Sequence, residues 1–133
     1  MSERPAPALT EATTAFWSGG ADEQLLIQRC DRCEHWQHPP KAMCSNCHGR
    51  ELHPEASSGR GTVWSYTISR TAWGAIEPPY VVAQVELDEQ PGLLLLTALV
   101  DADAIEIGMA VVVDFERTGD TWIPVFRPAA GAP

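Results

Sequence analysis

From Gly61 to Ser69 the chain alternates, with Val63, Ser65 and Thr67 on one face of an extended segment and Trp64, Tyr66 and Ile68 on the other. A period of two marks a half-buried strand. Tyr80 to Leu87 is a second such run, introduced by Pro78-Pro79. Leu93 to Val100 is apolar except for Thr97 and predicts a buried strand. A helix is the other reading of that run, but strand signals flank it on both sides. Met109 to Phe115 follows Gly108, and Trp122 to Phe126 follows the Gly119-Asp120 turn. Five strands of five to nine residues separated by Gly, Pro and Asp predict a closed five-stranded barrel, the OB-fold. A small β-sandwich is the competing reading.

Upstream the pattern is weaker. Thr10 to Trp17 predicts a short helix with Thr10 as N-cap and Glu11 in its first turn, ended by Ser18-Gly19-Gly20. Phe16 and Trp17 close it with few large apolar neighbours, so they need the barrel or another chain to pack on. Leu25 to Gln28 reads as a strand leading into Cys30, and Ser57-Ser58-Gly59 as a module boundary. The expected organisation is a flexible N-terminus and short helix (1–24), a metal ribbon (25–57), a barrel (58–128) and a disordered tail (129–133).

The four cysteines supply the chemistry. They form two Cys-x-x-Cys pairs, Cys30/Cys33 and Cys44/Cys47, with ten residues between. Each pair suits a tight turn that offers two thiolates to one cation, and two such turns close a tetrahedral sulfur cage. Zinc is the expected metal. Iron in a rubredoxin-like site would use the same ligands and is less favoured, because nothing else suggests electron transfer. His35, His38, His48 and His53 crowd the region and read as surface or hydrogen-bonding side chains. Disulfides would need an oxidising compartment. The first sixteen residues lack a signal-type apolar core, and no run is long enough to span a bilayer, so the expected location is cytoplasmic with no membrane partner.

Charge changes the picture in two ways. Residues 25–50 carry Arg29, Arg32, Lys41 and Arg50 against Asp31 and Glu34, a local +2 in a chain of net −9. A nucleic-acid patch is one reading of that excess, but neutralisation of a four-thiolate zinc cage, itself about −2, fits it better. The barrel segment has Arg60, Arg70, Arg117 and Arg127 against a larger number of acids. Trp64, Tyr66, Trp73 and Tyr80 could stack bases on an OB-fold, line an acyl-CoA surface, anchor a partner or fill the core. The acidic balance argues against nucleic acid. A small ribbon needs its metal for stability, whereas the barrel is large enough for its own core, so the two are expected to be stabilised separately.

The ordered words resemble a known family. They are Phe16-Trp17, Leu25-Leu-Ile-Gln-Arg-Cys-Asp-Arg-Cys33, Pro39-Pro40 before Cys44-Ser-Asn-Cys47, Ser58-Gly-Arg-Gly-Thr-Val-Trp-Ser-Tyr-Thr67, Pro79-Tyr80-Val-Val-Ala-Gln-Val-Glu-Leu87, Gly108-Met109 and Val125-Phe126-Arg127-Pro128. This order is similar to that of the domain-of-unknown-function 35 family, which joins a rubredoxin-like zinc ribbon to an OB-fold. Glu34 departs from it, standing where the family usually has glycine.

The resemblance implies a non-catalytic accessory subunit of a thiolase-like (aldolase or acyltransferase) or hydratase-like enzyme. Such an enzyme acts on acyl-CoA thioesters, including those of steroid or lipid side-chain metabolism, and forms a hetero-oligomer with the small protein. No catalytic residue is singled out. Phe16 and Trp17 are candidates for the partner contact, and Arg60 for the same contact or a coenzyme A phosphate, with loop bracing as the alternative. A single-strand nucleic-acid-binding protein and an independent acyl-CoA enzyme are the competing functions.

Overall fold

A computed structural model describes residues 7, 9–11, 13–71 and 78–129; Trp73 and most of the termini expected to be disordered lie outside these. The order is helix α1 (Thr14–Ser18), a 3-10 turn (Gly19–Asp22), then β1 (Leu26–Cys30), β2 (Trp36–Gln37), β3 (Leu52–Ala56), β4 (Arg60–Ser69), β5 (Tyr80–Leu87), β6 (Leu94–Leu99), β7 (Ala110–Thr118) and β8 (Thr121–Pro128). No described helix is long and apolar enough to cross a membrane.

The helix begins three residues later than its sequence suggests, with Thr13 rather than Thr10 as its N-cap. Thr10 holds a preceding turn, its carbonyl accepting the Thr13 and Thr14 amides at 3.1 and 2.9 Å. The Thr14 hydroxyl also donates to that carbonyl, at 2.6 Å. Threonines offer the backbone such local alternatives to a regular first turn. Nor does the chain stop at Gly19; it tightens into the 3-10 turn, closed by Glu23 at φ 58°. Gly20 lets this turn lie flat on the barrel, since a β-carbon there would meet Trp122 Cβ at 2.5 Å and Phe115 Cδ1 at 2.6 Å. Phe16 is consequently buried, 8% exposed. The neighbours it needs come from its own chain, where it sits edge-on to Trp17 and packs on His38.

Two sheets follow. The first has the order β2-β1-β3 and carries the cysteines; the second is a closed barrel, β4-β5-β6-β8-β7. All its pairings are antiparallel except β6 with β8, as an OB-fold requires. Along β4 a bulge between Val63 and Ser65 breaks the simple alternation. Val63, Tyr66 and Ile68 oppose Val85, Ala83 and Val81, while Ser65 and Thr67 oppose Gln84 and Val82. The extra residue, Trp64, moves every later side chain to the other face. Ser65 and Thr67 therefore do not share a face with Val63.

Leu25, Ile27 and Trp36 of the ribbon belong to one buried cluster with Val63, Val85, Leu95, Val111 and Phe126 of the barrel. The expected separation of their stabilities gives way to a shared core. Gln90, in the turn after β5, clasps the Trp36 backbone, accepting from its N–H at 3.0 Å and donating to its carbonyl at 2.7 Å. Gln37, 5% exposed, is fully engaged: it donates to Gln28 Oε1 and the Met43 carbonyl and accepts from the Ser45 amide and hydroxyl.

His38 lies between α1 and the ribbon with its ring 4.7 Å from that of Phe16 and its Nδ1 buried without a hydrogen-bond partner among the described residues. Burial pushes its pKa down to about 4 from an ordinary 6.5. Between those values the unfolded chain takes up a proton that the folded chain refuses. The neutral ring therefore costs nothing above pH 6.5, and stability falls as pH drops from 6.5 toward 4. From pH 7.5 to 5.5 this group should remove roughly 1 kcal/mol. Denaturant melts of the native protein and His38→Phe at both pH values check it, the variant losing less on acidification. Equal losses would show that His38 is not buried as a neutral ring.

Candidate functional site

Two matching turns build the cysteine site. In the first, Cys30 N–H donates to the His35 carbonyl (2.9 Å) and Glu34 N–H to the Cys30 carbonyl (3.0 Å). In the second, Cys44 N–H donates to Gly49 (2.8 Å) and His48 N–H to Cys44 (3.0 Å). Glu34 and His48 occupy the same place in their turns and adopt φ 65° and 63°. That left-handed geometry favours glycine, which explains the residue the family usually places at Glu34. The turn forms regardless, and the ligand set is unaltered.

The four sulfurs lie within 4.8 Å of one another. Cys30 is 3.6 Å from Cys47 and Cys33 is 3.6 Å from Cys44, each close to the edge of about 3.8 Å that a tetrahedron of 2.3 Å metal–sulfur bonds requires. Backbone N–H groups of Arg32, Asn46, Cys47 and Gly49 point at sulfur from 3.4 to 3.5 Å, and the Asn46 side-chain amide reaches Cys33 at 3.5 Å. Such donors favour thiolates. Asn46, followed by the backbone at His35, draws the Cys33 thiol down to about 6. Cys47 goes the other way, to about 11: the Gly49 N–H favours its thiolate, but burial and the crowding of the other three sulfurs favour the thiol. Four thiolates this close repel one another unless a cation sits among them. The donor set fits a tetrahedral metal ion and fills all four of its positions.

The surrounding charges differ in part from expectation. Arg29 turns from the cage to Glu55, 2.6 Å away, and lies over the Trp36 ring at 4.8 Å. His53 bridges Glu55 and Asp31, and the Glu55 hydrogen bond, with Asp31 assisting, raises its pKa. The cage among the described residues is made of cysteines alone. Asn46 and the Gly49 amide were the contributors that spacing could not reveal, because the reach of a side-chain amide depends on how the two turns face.

A second feature lies on the barrel. The parallel seam between β6 and β8 holds only two residue pairs, Ala98 with Val125 and Leu99 with Phe126. Pro124 has no N–H to extend it, and the Thr97 hydroxyl takes the Pro124 carbonyl instead, at 3.0 Å. Where the strands part, an apolar cleft of about 430 Å³ opens, walled by Phe16 and Trp17 on one side and by Tyr80, Val82, Leu96 and Ile123 among others. Phe16 and Trp17 are thus brought together at the cleft, Phe16 as buried wall and Trp17 half-buried. Arg60 is not part of it. It is exposed at the start of β4, with its amide on the Ser58 hydroxyl at 3.2 Å.

Comparison with known proteins agrees with this architecture. The family model described as "ChsH2, rubredoxin-like zinc ribbon domain" matches residues 17–53, and "ChsH2, C-terminal OB-fold domain" matches residues 54–116. A probable enoyl-CoA hydratase alpha subunit of Thermomonospora curvata is 43% identical over 131 residues, which cover 95% of this chain and 40% of that protein. A DUF35 domain-containing scaffold protein of Methanothermobacter thermautotrophicus is 32% identical over 96 residues, 70% of this chain and 72% of that one. Among solved structures, a chain of the "Ltp2-ChsH2(DUF35) aldolase" superposes with a TM-score of 0.84 at 38% identity, covering 94% of this chain and all of that one.

Proposed function

Because this chain belongs to the DUF35 family, a rubredoxin-like zinc ribbon joined to an OB-fold, we propose that it is an accessory subunit of an acyl-CoA enzyme. It binds a thiolase-like or hydratase-like partner in a hetero-oligomer and supports that partner's reaction without turning over substrate itself. The observation that carries this reading is the likeness, over the whole length of that chain, to a chain of the Ltp2-ChsH2(DUF35) aldolase. This chain spans about 40% of the length of the hydratase alpha subunit it resembles.

The chemistry of the residues supports a helper. The metal we propose for Cys30, Cys33, Cys44 and Cys47 is zinc, whose role here is to hold the two turns together. A closed four-sulfur site leaves no position for water or substrate. Arg60 is proposed as a contact to the partner or to a coenzyme A phosphate, since it is exposed beside the ribbon–barrel junction.

Co-expression with the enzyme encoded beside it, followed by assays of each protein alone and together on acyl-CoA thioesters, tests the proposal. Steroid and lipid side-chain thioesters are the first substrates to try. Turnover is expected only, or at least tenfold faster, in the presence of both proteins. Equal activity of the enzyme without this chain, or turnover by this chain unaided, overturns it.

A further inference from the structure

The run from Leu93 to Leu96 is apolar at every position, the pattern of a strand covered on both faces. Among the described residues only one of them is fully covered. Leu95 and Leu99 point into the barrel at 2% and 4% exposure, whereas Leu96 stands 68% exposed on the outer face. Across the strand pair, Leu96 opposes Gln84 and Ala98 opposes Val82. With Val125 beside Ala98 on β8, this outer surface is largely hydrocarbon, where the outside of a solvated barrel alternates to polar side chains. Helix α1 covers part of it with Phe16 and Trp17, and the cleft of about 430 Å³ begins where that cover ends.

We infer that this cleft seats apolar anchor side chains of the partner acyl-CoA enzyme, which complete the cover that α1 begins. The inference rests on the accessory-subunit reading and deepens it. Two features favour a protein over a small molecule. A ligand site of this size holds a few convergent polar groups to orient its occupant; here none of the described lining residues is charged, and of the few polar side chains (Trp17, Tyr80, Thr97) Thr97 already donates its hydroxyl to the Pro124 carbonyl. Moreover, the chain has 18 acidic residues to 9 basic ones, yet among the described residues none of either lines this cleft, while Trp17 and Tyr80 do. Loss of charge and gain of Trp and Tyr mark the centre of an interface.

Leu96→Asp and Leu96→Lys test the inference in the full chain co-expressed with its partner, with Ile107→Asp as control. Ile107 is 70% exposed and lies outside the cleft. All three variants should keep the native unfolding midpoint, because both side chains already face solvent. Affinity for the partner, read by calorimetry or interferometry, should fall roughly thirtyfold or more for both Leu96 variants and stay within about twofold for the control. Loss with both charge signs identifies desolvation of the cleft as the cause. If the native chain binds the enzyme and the Leu96 variants bind equally well, or the control weakens as much, the cleft assignment is overturned and the accessory reading stands. If the native chain binds no such enzyme, the accessory reading fails and takes this inference with it. Uptake of decanoate by the free chain at micromolar concentration, abolished by Leu96→Asp, would assign the cleft to a hydrocarbon ligand and overturn it also.

Discussion

Cys44→Ser is expected to lose the bound metal and, with it, the cooperative fold of the whole chain. Cys44 is fully buried; its sulfur lies 3.6 Å from that of Cys33 and accepts the amides of Asn46 and Cys47. A serine hydroxyl is a poor ligand for a thiophilic ion, and the three remaining sulfurs would face one another without a full cage. Structural zinc supplies about 10–16 kcal/mol of folding free energy in small zinc modules, as much as or more than the 5–15 kcal/mol by which a whole domain is stable. The ribbon offers little to replace it, since β2 is only two residues long. Damage should not stop there. Leu25, Ile27 and Trp36 lie in the same buried cluster as the barrel's Val63 and Phe126, so a loosened ribbon exposes one side of the barrel core. Metal analysis and hydrogen exchange check this. The native protein should hold one equivalent of zinc and the variant none, with amides of Leu26–Cys30 and Leu52–Ala56 exchanging freely and barrel amides losing protection by several orders of magnitude. One equivalent of iron in the native protein would replace the zinc assignment. A variant that keeps its metal would remove Cys44 from the cage.

Phe126→Ala should destabilise the fold by about 3–5 kcal/mol, the cost of emptying a large, fully enclosed aromatic site. Phe126 has no exposed surface and sits where the barrel closes. It pairs with Val113 of β7 and Leu99 of β6, and its carbonyl accepts the Val100 amide at 2.8 Å. The short β6–β8 seam cannot collapse onto the gap without giving up one of its two pairs, so relaxation should recover little. Urea titration of the metal-loaded protein measures the effect as a lower midpoint at an unchanged slope. Leu96→Ala in the same experiment should change the stability by less than about 0.5 kcal/mol, since an exposed side chain has little burial to lose. A loss below about 1 kcal/mol for Phe126→Ala would mean the barrel is not closed around this residue.

The cysteine cluster and the barrel strands were legible in the sequence, for a local reason in each case. A Cys-x-x-Cys turn brings its two sulfurs together through a few backbone torsions, so spacing alone announces it. Alternation announces a strand in the same way, and the five expected strands match β4 to β8 to within three residues at each end. The strands β2 and β3 gave no such signal. Trp36-Gln37 is too short to show a period, and Leu52–Ala56 contains Pro54 and two charged or titratable side chains. They become strands because β1 lies between them and satisfies their backbone groups.

By itself, then, the sequence determined which cysteines pair in tight turns, which stretches extend, and in what order ribbon and barrel follow, because each of these depends on neighbours a few residues apart. Tertiary structure decided the rest. The faces of β4 beyond Val63 follow from a single inserted residue, Trp64, whose bulge is set by the register with β5. Burial of Phe16 follows from Gly20 letting the turn lie against Phe115 and Trp122, some hundred residues away. The merging of two cores follows from Gln90 clasping Trp36 across 54 residues. The cleft follows from Pro124 ending the ladder beside Thr97. Each rests on a contact between distant parts of the chain, and the geometry of such contacts is fixed only when all the elements are packed at once.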